Sequence, residues 1–189
     1  SIGADADVEK FQPSAKKVYL EKDKALSQAH TKFDSIATRQ IAVLAANGFS
    51  MDDFKTFTDA LEDEGAVCKI IAPHGGTIKC DQDMDHKVDA AISTTESVLF
   101  DAIFVPGGKD SVDKLLKTGK YSKFISEAFK HCKAIAVCNE GEELLKNSYI
   151  KSYDDDKAVF VNGKPKNFID AIAQHRNWDR MEAASDIPV

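Results

Sequence analysis

One stretch of this sequence places a thiol where a strand gives way to a helix: Ala136-Val137-Cys138-Asn139-Glu140-Gly141. A residue on such a turn projects from the sheet edge and meets the amides of the following helix, which favour a thiolate. The expectation is a Cys138 thiol of depressed pKa, fit to serve as nucleophile or redox centre. Two other strand ends point the same way. Asn47-Gly48 leads to Asp52 and Asp53, either of which can bring a carboxyl to Cys138 across the neighbouring strand end. Pro106-Gly107-Gly108 follows a third apolar run, and its glycines read either as a tight turn or as an oxyanion hole. Each residue also has a plainer role. Asp53 is a first-turn carboxylate favoured by the helix dipole, and Asn139 and Glu140 are a helix cap and a first-turn charge. Cys138 stays open between a reactive thiol and a quiet, partly buried one.

A cysteine nucleophile also needs a base or electrophile partner. His74, His86, His131 and His175 each fall on segments that read as loop or helix surface. The other cysteines form no Cys-x-x-Cys pair, so neither a zinc ribbon nor a thioredoxin-like site is suggested. Cys68 reads as core, and Cys80 and Cys132 as unpaired structural or edge thiols. The run Asp154-Asp155-Asp156 suits a solvated loop better than a calcium site.

The elements that must carry these residues follow from hydrophobic patterning. Ile41–Ala45 is a continuous apolar run, as in a strand covered on both faces. Met51–Glu64 has Met51, Phe54, Phe57 and Leu61 at helical spacing, Ser50 as N-cap and Gly65 as stop. Val67–Ala72 is a second strand, ended by Pro73. Thr77–Cys80 reads as a short strand or hairpin arm, and the polar stretch Asp81–Ser97 has no assignment. Strands at Ala102–Val105, Ala134–Val137 and Ala158–Val161 alternate with helices at Ser111–Leu116, Tyr121–His131 and from Glu142 to Lys146. Pro165 opens a last helix, with Phe168, Ile169, Ile172 and Trp178 on one face, and His175–Trp178 is expected to pack its end on the sheet. Alternation of this kind implies an α/β, flavodoxin-like, doubly wound and mainly parallel sheet with helices on both faces. Before it, Ser14–Asp34 is rich in Lys, Ala, Glu and Gln and reads as a solvated helix or linker. The division is a helical linker over residues 1–37 and a domain over residues 38–189.

Composition narrows the class. The 189 residues are 43% hydrophobic, enough for a substantial core. The formal net charge of −6 argues against an extended nucleic-acid-binding surface. No apolar run approaches the roughly 18 residues that cross a bilayer, so no membrane partner is expected, and the compartment is not legible.

Asn47-Gly48 with its acidic followers, Ile103-Phe104-Val105-Pro106-Gly107-Gly108 and Ala136-Val137-Cys138-Asn139-Glu140-Gly141 occur in an order that resembles the ThiJ/PfpI superfamily, related to class I glutamine amidotransferase domains. The resemblance covers about residues 38–150. It implies that a carboxylate at the start of the first helix, here Asp53 where members usually carry Glu, faces an elbow cysteine, here Cys138. It also implies that the Gly107-Gly108 loop brings backbone amides near that cysteine. Members that hydrolyse or remove adducts often have His after the cysteine, where this chain has Asn139. The N-terminal stretch, the acidic insert from Asp81 to Ser97 and Asp170-Ala171-Ile172-Ala173-Gln174-His175-Arg176-Asn177-Trp178-Asp179 are similar to the C-terminal domain of large-subunit, clade 2 catalases, particularly fungal ones. That resemblance spans nearly the whole chain. It implies no cofactor in this chain, with haem and peroxide chemistry in a catalase core outside it. The implied partners are that core, the sister subunits of a tetramer, and unfolding client proteins held by a holdase-type chaperone. A cysteine-dependent hydrolase or deglycase, or a peroxide-sensing thiol at Cys138, is the alternative.

Overall fold

The computed structural model describes residues 35–188. The helix expected over Ser14–Asp34, and with it nearly all of the linker, lies outside the described residues. Ile36 already belongs to the core, at 1% exposed.

The chain runs through β1 (Gln40–Leu44), α1 (Met51–Asp63) and β2 (Val67–Ala72). A hairpin of β3 (Thr77–Lys79) and β4 (Asp85–Lys87) and a two-residue β5 (Ala90–Ala91) come next. Then follow β6 (Ala102–Val105), α2 (Lys109–Leu116), α3 (Lys120–Lys130), β7 (Ala134–Val137), α4 (Glu142–Lys146) and β8 (Val159–Val161). The described part closes with α5 (Pro165–Ala173) and α6 (Met181–Ser185). The main sheet has the order β5-β2-β1-β6-β7-β8, every neighbouring pair parallel. Setting aside the edge strand β5, this is the flavodoxin-like order, and the winding reverses between β1 and β6. The fold is the flavodoxin-like α/β class that the sequence pattern implies.

Alternation along each strand sorts side chains to two faces. Leu44, Ile103, Val105, Ile135 and Val137 lie in one core with Leu115 of α2, Phe124, Ile125 and Phe129 of α3, and Leu144 of α4. Ile41, Val43, Phe104 and Ala136 lie in the other, with Phe57 and Leu61 of α1 and Phe168 and Ile172 of α5. Phe57 stacks on Phe104 with ring centroids 4.4 Å apart. Because both faces are covered, the central strands are apolar throughout rather than alternating. The α1 entry is as the sequence suggests: Ser50 Oγ accepts from the Asp53 amide, and Gly65 takes φ 83° just past the helix. Among the described residues no helix is long and apolar enough to cross a membrane.

Three local features depart from expectation. The polar stretch Asp81–Ser97 holds β4 and β5, strands too short and too exposed to show a period. They are held from outside, β4 by antiparallel pairing with β3 and β5 by Ile71 and Ala72 of β2. Trp178 is not on the last amphipathic helix, because α5 ends at Ala173 and His175 takes φ 67°. It opens a separate helical turn at Trp178–Arg180, tied to the turn between α3 and β7 by the Asn177 amide donating to Cys132 O at 2.8 Å. In the acidic run, Asp154 and Asp155 are exposed, but Asp156 is not solvated. Its carboxylate accepts from Arg180 Nε at 2.6 Å and Nη2 at 2.8 Å, from Asn177 Nδ2 at 2.9 Å and from the Ala158 amide at 2.9 Å.

Candidate functional site

The carboxyl edge of the sheet brings the turns after β1, β6 and β7 together. Backbone contact between the first two is direct. Ser50 N donates to Gly107 O at 2.8 Å, and Gly108, at φ 107°, lies so close to Gly48 and Phe49 that a Cβ there has no room. A Cβ on Gly107 would sit 2.7 Å from Asp53 Oδ2 and 3.1 Å from Asn139 Cβ. The two glycines are therefore required by close approach, and they seat Asp53 against the turn after β7.

At that turn the structure corrects the sequence reading. Cys138 keeps extended geometry (φ −114°, ψ 140°), and its amide donates to Val105 O at 2.9 Å, so the strand conformation runs through it. Its side chain continues the inward alternation of Ala134 and Ala136 and lies in the core beside α1 and α5. The chain turns one residue later. Asn139 takes φ 47° and is exposed, as a side chain at a strand-to-helix elbow must be. The thiol expected at the elbow is thus buried beneath it, and a carboxamide stands in the elbow position.

Hydrogen bonds close the site. Asp53 Oδ2 accepts from Asn139 Nδ2 at 2.9 Å and from Gly107 N at 3.0 Å. Glu140 Oε2 accepts from Gly108 N at 3.0 Å. That amide, first, with the Glu140 backbone N–H and the nearby Lys109 charge, holds the Glu140 carboxyl below its usual range. Both amides of the Gly107-Gly108 turn, the donors an oxyanion hole would offer, are taken by the protein's own carboxylates. The amides at the start of the following helix are engaged too. Asn139 N donates to Asn162 Oδ1 at 2.6 Å, and Gly141 N to Cys138 O at 2.8 Å.

These contacts reverse the expected titration of Cys138. Burial, and secondarily the Asp53 charge, push the thiol up to about 12, whereas free helix amides would have lowered it. The Asp53 carboxyl does approach the Cys138 region, but as a like charge to any thiolate. Asp52, the other carboxylate considered, is exposed and accepts from Gln82 Nε2 at 3.3 Å. The remaining cysteines are free thiols: Cys80 and Cys132 are buried and Cys68 is half-buried.

The histidines are deployed elsewhere. His86 packs edge-on to Phe49 and Phe54 rather than on a surface. His131 caps the end of α3, and His74 follows β2 in a loop. His175 lies 4.0 Å from Asp101, just before β6, and burial first, then Arg176 and Arg39, hold its pKa below the usual value. Asn162 is the residue that sequence reasoning missed. It sits just past β8 at φ 52° and takes up the elbow amide. Its signal was an Asn-Gly pair following a strand, a pattern for positive φ. Among the described residues no three His, Cys, Asp or Glu side chains converge as metal ligands.

Comparison with known proteins adds an independent line. The family model described as the C-terminal domain found in long catalases matches residues 37–182. Catalase-2 of Bacillus subtilis is 37% identical over 163 residues, covering 82% of this chain and 23% of that protein. Catalase HPII of Mycobacterium avium is 37% identical over 173 residues, covering 82% of this chain and 24% of that protein. The chain spans about a quarter of the length of these relatives. Among solved structures, oxidized DJ-1 of Toxoplasma gondii superposes with a TM-score of 0.59 at 13% identity, covering 78% of this chain and 95% of that one. At that identity the likeness concerns the fold.

Proposed function

Since the chain belongs to the family of C-terminal domains found in long catalases, we propose that it is a haem-free accessory domain without covalent chemistry of its own. In this reading peroxide decomposition to water and oxygen belongs to a haem-containing core elsewhere in the long protein. The domain stabilises the assembly of that core with its sister subunits and holds unfolding clients in the manner of a holdase. The observation that carries the reading is the elbow itself. Asn139 stands where a nucleophile would, bonded to Asp53, and the flanking glycine amides are spent on Asp53 and Glu140. A carboxamide, whose nitrogen lone pair is delocalised into its carbonyl, has neither the basicity nor the nucleophilicity that covalent catalysis needs.

Support for a binding role comes from the opposite end of the strands. Val98, Leu99 and Met181 are 72%, 63% and 60% exposed. Val98 and Met181 share a cavity of about 370 Å³ with Trp178 and Ala184. Exposed apolar side chains gathered in this way mark interaction surfaces. The test is heat-induced aggregation of an unrelated protein with the 189-residue chain added at near-stoichiometric ratio. Suppression is expected, and replacing Val98, Leu99 and Met181 by Ser should weaken it. Protection no better than that from a control protein of equal charge refutes the holdase role.

A further inference from the structure

We propose that the cavity at the carboxyl ends of β1 and β2 binds a small organic phosphate. Its dianionic head would rest on Lys114, Lys117 and His74, and its apolar body on Ala46, Pro73 and Ile78. The cavity measures about 430 Å³, within the range of small-molecule pockets. Its walls are the turn after β1, the loop after β2, the start of β3 and the last turn of α2 with the residues just beyond it. It is separate from the Asp53–Asn139 contacts and shares none of their residues. Doubly wound sheets take ligands outside the carboxyl ends of their strands, so the location suits a binding site.

Charge is the first argument. The chain carries 31 acidic against 25 basic residues, yet no carboxylate is among the described residues lining this cavity. Lys114, Lys117 and His74 all line it. In an acidic domain that is a local reversal of sign, which concentrates anions. The Lys114 ammonium is fixed in place by donating to Asn47 O at 2.8 Å, and it keeps two further protons for a ligand. Two fixed or nearby cations match the two charges of a phosphate monoester, where a carboxylate would use only one.

Gly75 lies in the loop that lines the cavity, and a Cβ on it would meet nothing within 4 Å among the described residues. Its φ is not in the left-handed range either. The open space over the Gly75 backbone leaves room for a ligand oxygen to approach it.

Amide NMR of the 189-residue chain, titrated in parallel with phenyl phosphate, inorganic phosphate and benzoate, tests the assignment. Saturable shifts are expected at residues 46–47, 74–78 and 114–118. Phenyl phosphate should bind more tightly than inorganic phosphate, which lacks the apolar body, and than benzoate, which lacks the second charge. Because Lys114 also holds Asn47, the Lys117→Gln variant carries the test, and it should weaken phenyl phosphate by about fivefold, the upper range for one exposed charge contact. Lys166→Gln, on α5, should leave binding unchanged. Shifts that fail to saturate, that centre elsewhere, or that persist unweakened in Lys117→Gln overturn the proposal. Equal affinity for phenyl and inorganic phosphate overturns the role given to Ala46, Pro73 and Ile78.

Discussion

Replacing Asp53 by Ala removes one carboxylate oxygen that serves two donors on two different turns. The Gly107 amide is buried, and without its acceptor it has the desolvation cost of an unpaired donor, about 1–3 kcal/mol. Asn139 is exposed, so water compensates part of its loss, which is nearer to about 1 kcal/mol. Loss of a first-turn negative charge from α1 adds roughly 0.3–1 kcal/mol. Together these predict that Asp53→Ala destabilises by about 2–5 kcal/mol. Asp52→Ala, one residue away but exposed and bonded to Gln82, should cost under about 1 kcal/mol. Urea unfolding of both variants beside the wild type, with m-values compared to confirm an unchanged transition, measures the difference. Equal effects for the two aspartates, or less than about 0.5 kcal/mol for Asp53→Ala, would refute the claim that Asp53 joins the turns after β6 and β7.

Other consequences concern the core and the C-terminal turn. Arg180 is fully buried with a bidentate grip on Asp156, so Arg180→Met leaves the Asp156 charge to the neutral donors Asn177 Nδ2 and Ala158 N and should cost about 3–5 kcal/mol in chemical unfolding. Burial raises the Asp156 pKa, but the Arg180 hydrogen bonds and charge, with the Ala158 and Asn177 donors, outweigh it and hold the carboxyl below its usual value. A folded pKa below the unfolded one gives stability that is full above about pH 4, the unfolded carboxylate range, and is lost as pH falls through the lower folded value. The difference in stability between wild type and Asp156→Asn should accordingly shrink on acidification below about pH 4, and a difference that does not change with pH would contradict the pairing. Phe104→Ala, which vacates the ring stacked on Phe57, should cost about 3–5 kcal/mol, and a loss under 1 kcal/mol would mean that this face is not closely packed.

Most of the sheet was legible because its strands are buried on both faces. The runs Val67–Ala72, Ala102–Val105 and Ala134–Val137 coincide with observed strands, since short, mostly apolar runs followed within two residues by Pro or Asn leave few alternatives. Asp85–Lys87 and Ala90–Ala91 were not legible, because their hydrogen-bond partners β3 and β2 impose the extended form on residues with no hydrophobic period. Trp178 continued the helical spacing of α5, but the positive φ of His175 breaks the helix, and no sequence pattern marked it. The site was legible as a meeting of three turns and illegible by one residue at its centre. Strand alternation places Cys138 inward with Ala134 and Ala136, yet where the strand ends and φ turns positive depends on the ladder bond from Cys138 N to Val105 O. That bond lies between chain segments, so a local reading of Val137-Cys138-Asn139 does not reveal it.

Alkylation of single thiols by iodoacetamide in the native chain, with Cys68, Cys80 and Cys132 replaced by Ala, tests the account most directly. A thiol raised from 9.0 to about 12 has about a thousandfold less thiolate near neutral pH. Cys138 should therefore alkylate about a thousandfold more slowly than it does in the urea-unfolded chain, whereas a thiol installed by Asn139→Cys, with Cys138→Ser beside it, should alkylate readily. Rapid native alkylation at Cys138, with no gain from Asn139→Cys, would put the reactive thiol back at the elbow and contradict the account of a domain without covalent chemistry.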